Sequence, residues 1–75
     1  MIAFPNKIYR HYKTKRLYQV LHIAKDSETL SDVVVYKCLY RNDTSKIWVR
    51  SLAMFEGKVD FEGQTIERFE LVGEL

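Results

Sequence analysis

Cysteine, proline and glycine are scarce in this chain: one, one and three in 75 residues. The lone thiol, Cys38, excludes an intramolecular disulfide and makes no metal site by itself. It lies in the most apolar run, where a buried, inert thiol is expected. All three glycines come after residue 56, so no glycine-rich loop is present to cradle a phosphate. His11 and His22 are the only histidines, and with Cys38 they give neither Cys-x-x-Cys nor His-x-x-x-His spacing for zinc. No cofactor is expected. No apolar stretch approaches the roughly 20 residues of a membrane span. The opening Met1-Ile2-Ala3-Phe4-Pro5 is too short for a signal-peptide core. These absences predict a cytoplasmic, soluble protein without membrane contact.

What the chain has is aromatic and β-branched. Five Tyr, four Phe and one Trp each bury about 150–250 Å², which a domain this small needs for a stable core. Val33-Val34-Val35-Tyr36-Lys37-Cys38-Leu39-Tyr40 is the longest apolar run. The turn formers Arg41-Asn42-Asp43-Thr44-Ser45 follow, then Ile47-Trp48-Val49-Arg50. Two such runs joined by polar residues read as an antiparallel hairpin, the wall on which the rest packs.

Around it, residues 1–6 form a loose lead-in ended by Pro5, and residues 8–13 form a short strand. Leu17–Lys25 is a long strand that is apolar on both faces, with Tyr18, Val20, His22 and Ala24 on one and Leu17, Gln19, Leu21 and Ile23 on the other. It is therefore central or bent, and His22 is a structural histidine in it. Asp26-Ser27-Glu28-Thr29 is a turn whose side chains bond nearby amides. Residues 51–57 form one helical turn, capped by Ser51 and ended by Gly57 in the left-handed conformation. Residues 58–62 and 65–72, joined at Gly63-Gln64, form a last hairpin. No window has a 3.6-residue apolar period. The prediction is one all-β domain over residues 1–75, a small barrel of five to six short antiparallel strands with one helical turn; closure removes exposed sheet edges.

The pieces Tyr9-Arg10-His11-Tyr12-Lys13, Tyr18, Val20, Ala24, Ser27-Glu28-Thr29, Val34-Val35-Tyr36, Leu39-Tyr40, Trp48-Val49-Arg50, Met54-Phe55, Gly63 and Arg68-Phe69 stand in an order that resembles the bacterial domain of unknown function 1653 family. The resemblance implies a Src-homology-3-like barrel and brings no established activity. The chain departs from the family where His commonly precedes Ser-Glu-Thr, having Asp26. It departs again where Pro commonly follows Trp-Val-Arg and precedes Arg-Phe, having Ser51 and Glu67.

Charge is nearly balanced, 12 Lys+Arg against 10 Asp+Glu, but unevenly placed. Lys7, Arg10, Lys13, Lys15 and Arg16 come with no acid among them, whereas Glu56, Asp60, Glu62, Glu67, Glu70 and Glu74 dominate the end. The two ends either neutralise each other in the fold or form opposed patches, and both readings stay open. Three candidate sites follow. Tyr9, Arg10, His11, Tyr12 and Lys13 combine rings for base stacking with cations for phosphate; the alternative is a core face backed by a solvated face. Trp48 and Arg50 share a strand face and suit a planar or anionic group, or else form a structural anchor covered by an Arg stem. Ser27, Glu28 and Thr29 border a recognition surface or are only a structured turn; no base is placed near Ser27 for catalysis.

The expected function is accordingly that of a small non-catalytic recognition module. Its partner is a nucleic acid or a protein or peptide, with a metabolite-binding or enzymatic site at Ser27-Glu28-Thr29 and Arg50 as the alternative. If the residues 9–12 run is an edge strand, a homodimer through that edge follows.

Overall fold

The computed structural model describes residues 4–74. Seven strands and one short helix follow in chain order: β1 (Lys7–His11), β2 (Leu17–Lys25), β3 (Asp32–Cys38), β4 (Ile47–Ser51), α1 (Leu52–Phe55), β5 (Lys58–Phe61), β6 (Gln64–Glu67) and β7 (Phe69–Glu74). They make two antiparallel sheets, one of five strands in the order β4-β3-β2-β1-β7 and the other the β5-β6 hairpin. The all-β class is as expected. There are more strands than the five or six anticipated, and they are divided between two sheets rather than joined in one closed barrel.

Alternation along β3 sets the core. Val34, Tyr36 and Cys38 are buried, while Val33, Val35 and Lys37 are only partly covered. Tyr9, Val20, Phe55 and Phe69 join Val34 and Tyr36 in one cluster, with Tyr18, Ile23, Trp48 and Leu52 packed on it. Cys38 is a free, buried thiol. The cluster is mostly aromatic: Phe55 stacks on Phe69, and Tyr9, Tyr36 and Tyr18 meet these rings or one another edge-on. Such pairs add to what the buried area alone contributes.

Strand β2 is central, between β1 and β3. Its register slips between Val20 and His22. One extra residue in a strand reverses which side chains face inward beyond it. Tyr18 and Val20 therefore point to the core before the slip and Ile23 after it, while His22 is exposed. This corrects the placement of His22 as a packed structural histidine.

Three other expectations change. The 65–72 segment is not one strand: it breaks at Arg68, so that β6 pairs with β5 and β7 crosses to pair with β1. Gly57 does not take the left-handed conformation. Residue Glu56 caps the helix in the right-handed region instead, and Gly57 serves by lacking a side chain, since a Cβ there would come within 3.1 Å of the Ala53 carbonyl oxygen. The lead-in is not loose where it is described. Asn6 donates its N–H to the Val20 carbonyl at 2.7 Å, and Phe4 donates its N–H to the Tyr9 hydroxyl at 2.8 Å. Residues 1–3 of that lead-in lie outside the described residues.

Both departures with a visible partner have local work to do. Ser51 caps α1, its hydroxyl accepting from Met54 N–H at 3.2 Å. Asp26 accepts from the N–H groups of Glu28 and Thr29 at 2.8 and 3.2 Å, and these bonds hold its carboxyl below the ordinary carboxylate range.

Candidate cleft between the first strand and the last hairpin

Strand β1 ends at His11, and the chain turns over residues 12–16 into β2. The turn is built by local bonds: Lys15 N–H to the His11 carbonyl, and Arg16 N–H to the Thr14 hydroxyl. Beyond His11 the backbone is tied to the second sheet. Tyr12 N–H donates to the Arg68 carbonyl at 2.9 Å, and Arg68 N–H donates to the Gly57 carbonyl at 3.0 Å. The two sheets thus diverge from a pinned corner and leave a cleft of about 360 Å³. Arg10, His11, Tyr12 and Lys15 line one wall; Lys58, Thr65, Ile66 and Glu67 line the other, with Glu70 from β7.

Tyr12 is half-buried. Its ring lies 4.9 Å from the His11 ring and meets Phe61 of β5 edge-on at 5.4 Å, so it bridges the two walls. His11 is also half-buried, edge-on to Phe69 at 5.2 Å. Burial, then the positive charges of Arg50, Arg68 and Lys13, push its pKa below the ordinary histidine value. At neutral pH the ring is uncharged. Its Nδ1 accepts the Lys13 N–H at 3.2 Å, so the proton sits on Nε2. The cleft therefore has a neutral imidazole in its wall whose Nε2 is a donor.

The basic beginning and the acidic end do meet, because β1 pairs with β7. Arg10 lies 3.6 Å from Glu70, both largely exposed, a pair worth about 0–1 kcal/mol. Arg16 is also engaged, its guanidinium 4.4 Å from the centre of the Tyr40 ring. The Tyr40 hydroxyl is hydrogen-bonded at 2.9 Å to that of Tyr18, and burial followed by that bond raises the Tyr18 pKa strongly.

The structure separates the sequence candidates. Tyr9 is fully buried in the core, so its ring offers no stacking face. Arg10, His11 and Tyr12 do come together in the cleft with Lys15, while Lys13 is exposed beside it. Trp48 packs on the core and donates its indole N–H to the Ser45 carbonyl at 3.0 Å, as an anchor would. Arg50 lies over Phe69, 5.6 Å from the ring centre. Ser27, Glu28 and Thr29 form an exposed turn. A second hollow, between that loop and α1, is lined by Leu30, Ser31, Ser51 and Leu52 among others, and by neither Glu28 nor Arg50. Strand β1 is interior, and the edges of its sheet are β4 and β7. The edge that motivated a homodimer is therefore not available on residues 9–12.

The opposite wall went unread in the sequence. Lys58, Thr65, Ile66 and Glu67 look like an ordinary alternating hairpin, and only the break at Arg68 turns them toward β1.

Comparison with known proteins agrees with this architecture. The model of the family described as Protein of unknown function (DUF1653) matches residues 7–71. The chain belongs to that family. A crystal structure of a DUF1653 protein from Bordetella bronchiseptica is 35% identical, with a TM-score of 0.86 over 96% of this chain and 91% of that one. No curated protein matches the chain. The DUF1653 family brings no activity with it, so function has to be argued from the cleft. Among the described residues no helix is long and apolar enough to cross a membrane.

Proposed function

We propose that this DUF1653 domain is a recognition module that holds an extended peptide segment across the cleft between β1 and the β5-β6 hairpin. One observation carries the reading: the cleft is lined by charges of both signs together with apolar groups. Arg10, Lys15, Lys58, Glu67 and Glu70 line it together with Tyr12 and Ile66. A polyanion such as a nucleic-acid backbone would meet two carboxylates there, whereas a peptide presents charges of both signs and apolar side chains together. The volume lies at the low end of the roughly 300–1,000 Å³ usual for ligand pockets, enough for a few side chains of a partner.

The nucleic-acid alternative draws on the exposed Lys13 and Lys15. It loses Tyr9 to the core and Arg16 to Tyr40. For the catalytic alternative, Ser27 stands on an exposed turn and the Nδ1 of His11 accepts a backbone N–H.

The test is an amide NMR titration of the labelled chain with short blocked peptides of mixed sequence, and in parallel with a mixed single-stranded oligonucleotide. Shifts at Tyr12, Lys15, Thr65 and Ile66 that survive added salt support the peptide module. Shifts only with oligonucleotide, centred on residues 13–16 and lost as salt rises, would replace it with nucleic-acid binding. Silence with both would turn the search to small metabolites.

A further inference from the structure

Next to the cleft, one side chain has an unmet requirement. Arg50 is half-buried on β4, opposite Val34 in the register, so it faces the core side of the sheet. Its Nε is shielded from solvent and has no hydrogen-bond partner. It makes no ion pair with a carboxylate among the described residues. Its guanidinium lies over the π face of Phe69 instead. A shielded donor on a permanently charged group is rarely left unpaired in a folded protein, and each case asks for an explanation.

The surroundings favour an anion. His11 packs on the same Phe69 ring as Arg50, and it is paired with Phe69 across the β1-β7 ladder. Arg68 directly precedes Phe69, and its own Nε is turned to the Met54 carbonyl at 3.2 Å. One guanidinium and one Nε2–H donor thus meet at a single ring, and His11 also lines the cleft.

We infer that Arg50, which shares the Phe69 ring with His11, is a carboxylate-binding subsite beside the cleft, behind His11 of its wall, that receives an acidic side chain or the terminal carboxylate of the bound peptide. The inference rests on the peptide reading of the cleft and adds what that peptide must carry. A planar carboxylate matches the guanidinium fork of a half-buried arginine. A phosphate dianion fits less well, because Glu67 and Glu70 of the same cleft would repel its second charge. Arg50 in this role positions a ligand and performs no chemistry.

The experiment is a titration of the full, labelled chain with sodium acetate, against sodium chloride at matched ionic strength, reading the Arg50 Nε–H and the His11 ring. A saturable downfield shift of the Arg50 Nε–H with acetate and not with chloride is expected, and Arg50→Gln should abolish the response at His11. Equal, non-saturating responses to both salts would overturn the subsite. So would saturation by inorganic phosphate where acetate has no effect. Should Arg50→Gln fail to fold, the wild-type Nε–H signal decides alone. Peptides with a free or an amidated C-terminus, each with and without an internal Glu, then separate the two sources of carboxylate. An acetate response without any peptide binding keeps the subsite and removes the module reading. Peptide binding without an acetate response does the reverse.

Discussion

Phe55 and Phe69 lie face to face, 4.1 Å between ring centroids and 3° from parallel, with both side chains essentially fully buried. One comes from the single helical turn and the other from the start of the last strand, so this stack clamps α1 to the β1-β7 pair. It also sets the position of Phe69, against which His11 and Arg50 rest.

Removing either ring should cost about 3–5 kcal/mol. A domain of 75 residues has only about 4–11 kcal/mol in total. Phe69→Ala is expected to lose about a third or more of the stability, with a steeply lowered urea midpoint, and Phe55→Leu to show a smaller drop. Because the rings touch, Phe55→Leu combined with Phe69→Leu should cost less than the sum of the singles. Strict additivity in urea melts would show that the stack adds nothing beyond burial.

His11 gives the domain a pH dependence whose sign is fixed. Its folded pKa lies below the ordinary 6.5, so the unfolded chain takes up the proton first. Stability from this group is complete above about pH 6.5, falls as the solution is acidified through that value, and levels off once the folded pKa is passed. Asp26 acts lower, its contribution being lost only as pH falls below the ordinary carboxylate value of 3.8. Chemical melts of wild type and His11→Gln across pH 5–8 should converge toward the acidic end. A constant difference would mean that His11 does not titrate with folding.

Gly57 and Gly73 should respond oppositely to a methyl group. At Gly57 a Cβ meets backbone oxygen at 3.1 Å, whereas at Gly73 nothing lies within 4 Å. Gly57→Ala is expected to destabilise by about 1 kcal/mol or more, and Gly73→Ala to be neutral or mildly stabilising. Thermal melts of the two variants side by side decide it; equal melting temperatures would remove the close approach of α1 as the reason for Gly57.

Leu30 takes a left-handed backbone conformation, φ 62°, with its side chain 70% exposed. A γ-branched residue is strained there, and Asn adopts that region more easily. Leu30→Asn should therefore raise stability by about 1 kcal/mol. A fall in melting temperature would mean that the Leu30 side chain, which lines the hollow beside α1, supports the fold by contacts its exposure hides.

The parts of the fold governed by near neighbours were legible. Leu17–Lys25 as a long central strand, the β3-β4 hairpin, the buried Cys38 and the Ser51 cap all follow from β-branched runs and capping chemistry acting over a few residues. The Asp26 turn was legible for the same reason, as a side chain bonding amides two and three positions on.

Tertiary structure decided the rest, because strand partners and register are contests between segments far apart in the chain. The alternation in residues 65–72 is equally consistent with one strand or two, and only the pull of Phe69 into the aromatic core breaks it at Arg68. The slip at Leu21 reverses the faces of β2 so that Ile23, rather than His22, is packed. Pairing of β1 with β7 sets Arg10 against Glu70, makes β1 interior, and brings His11 to the ring that Arg50 also covers. By itself the sequence determined what this protein is made of: short strands, an aromatic core and a basic, aromatic first segment. Which of those aromatics would be core, which cations would be paired, and where a cleft would open depended on side-chain packing across the whole molecule.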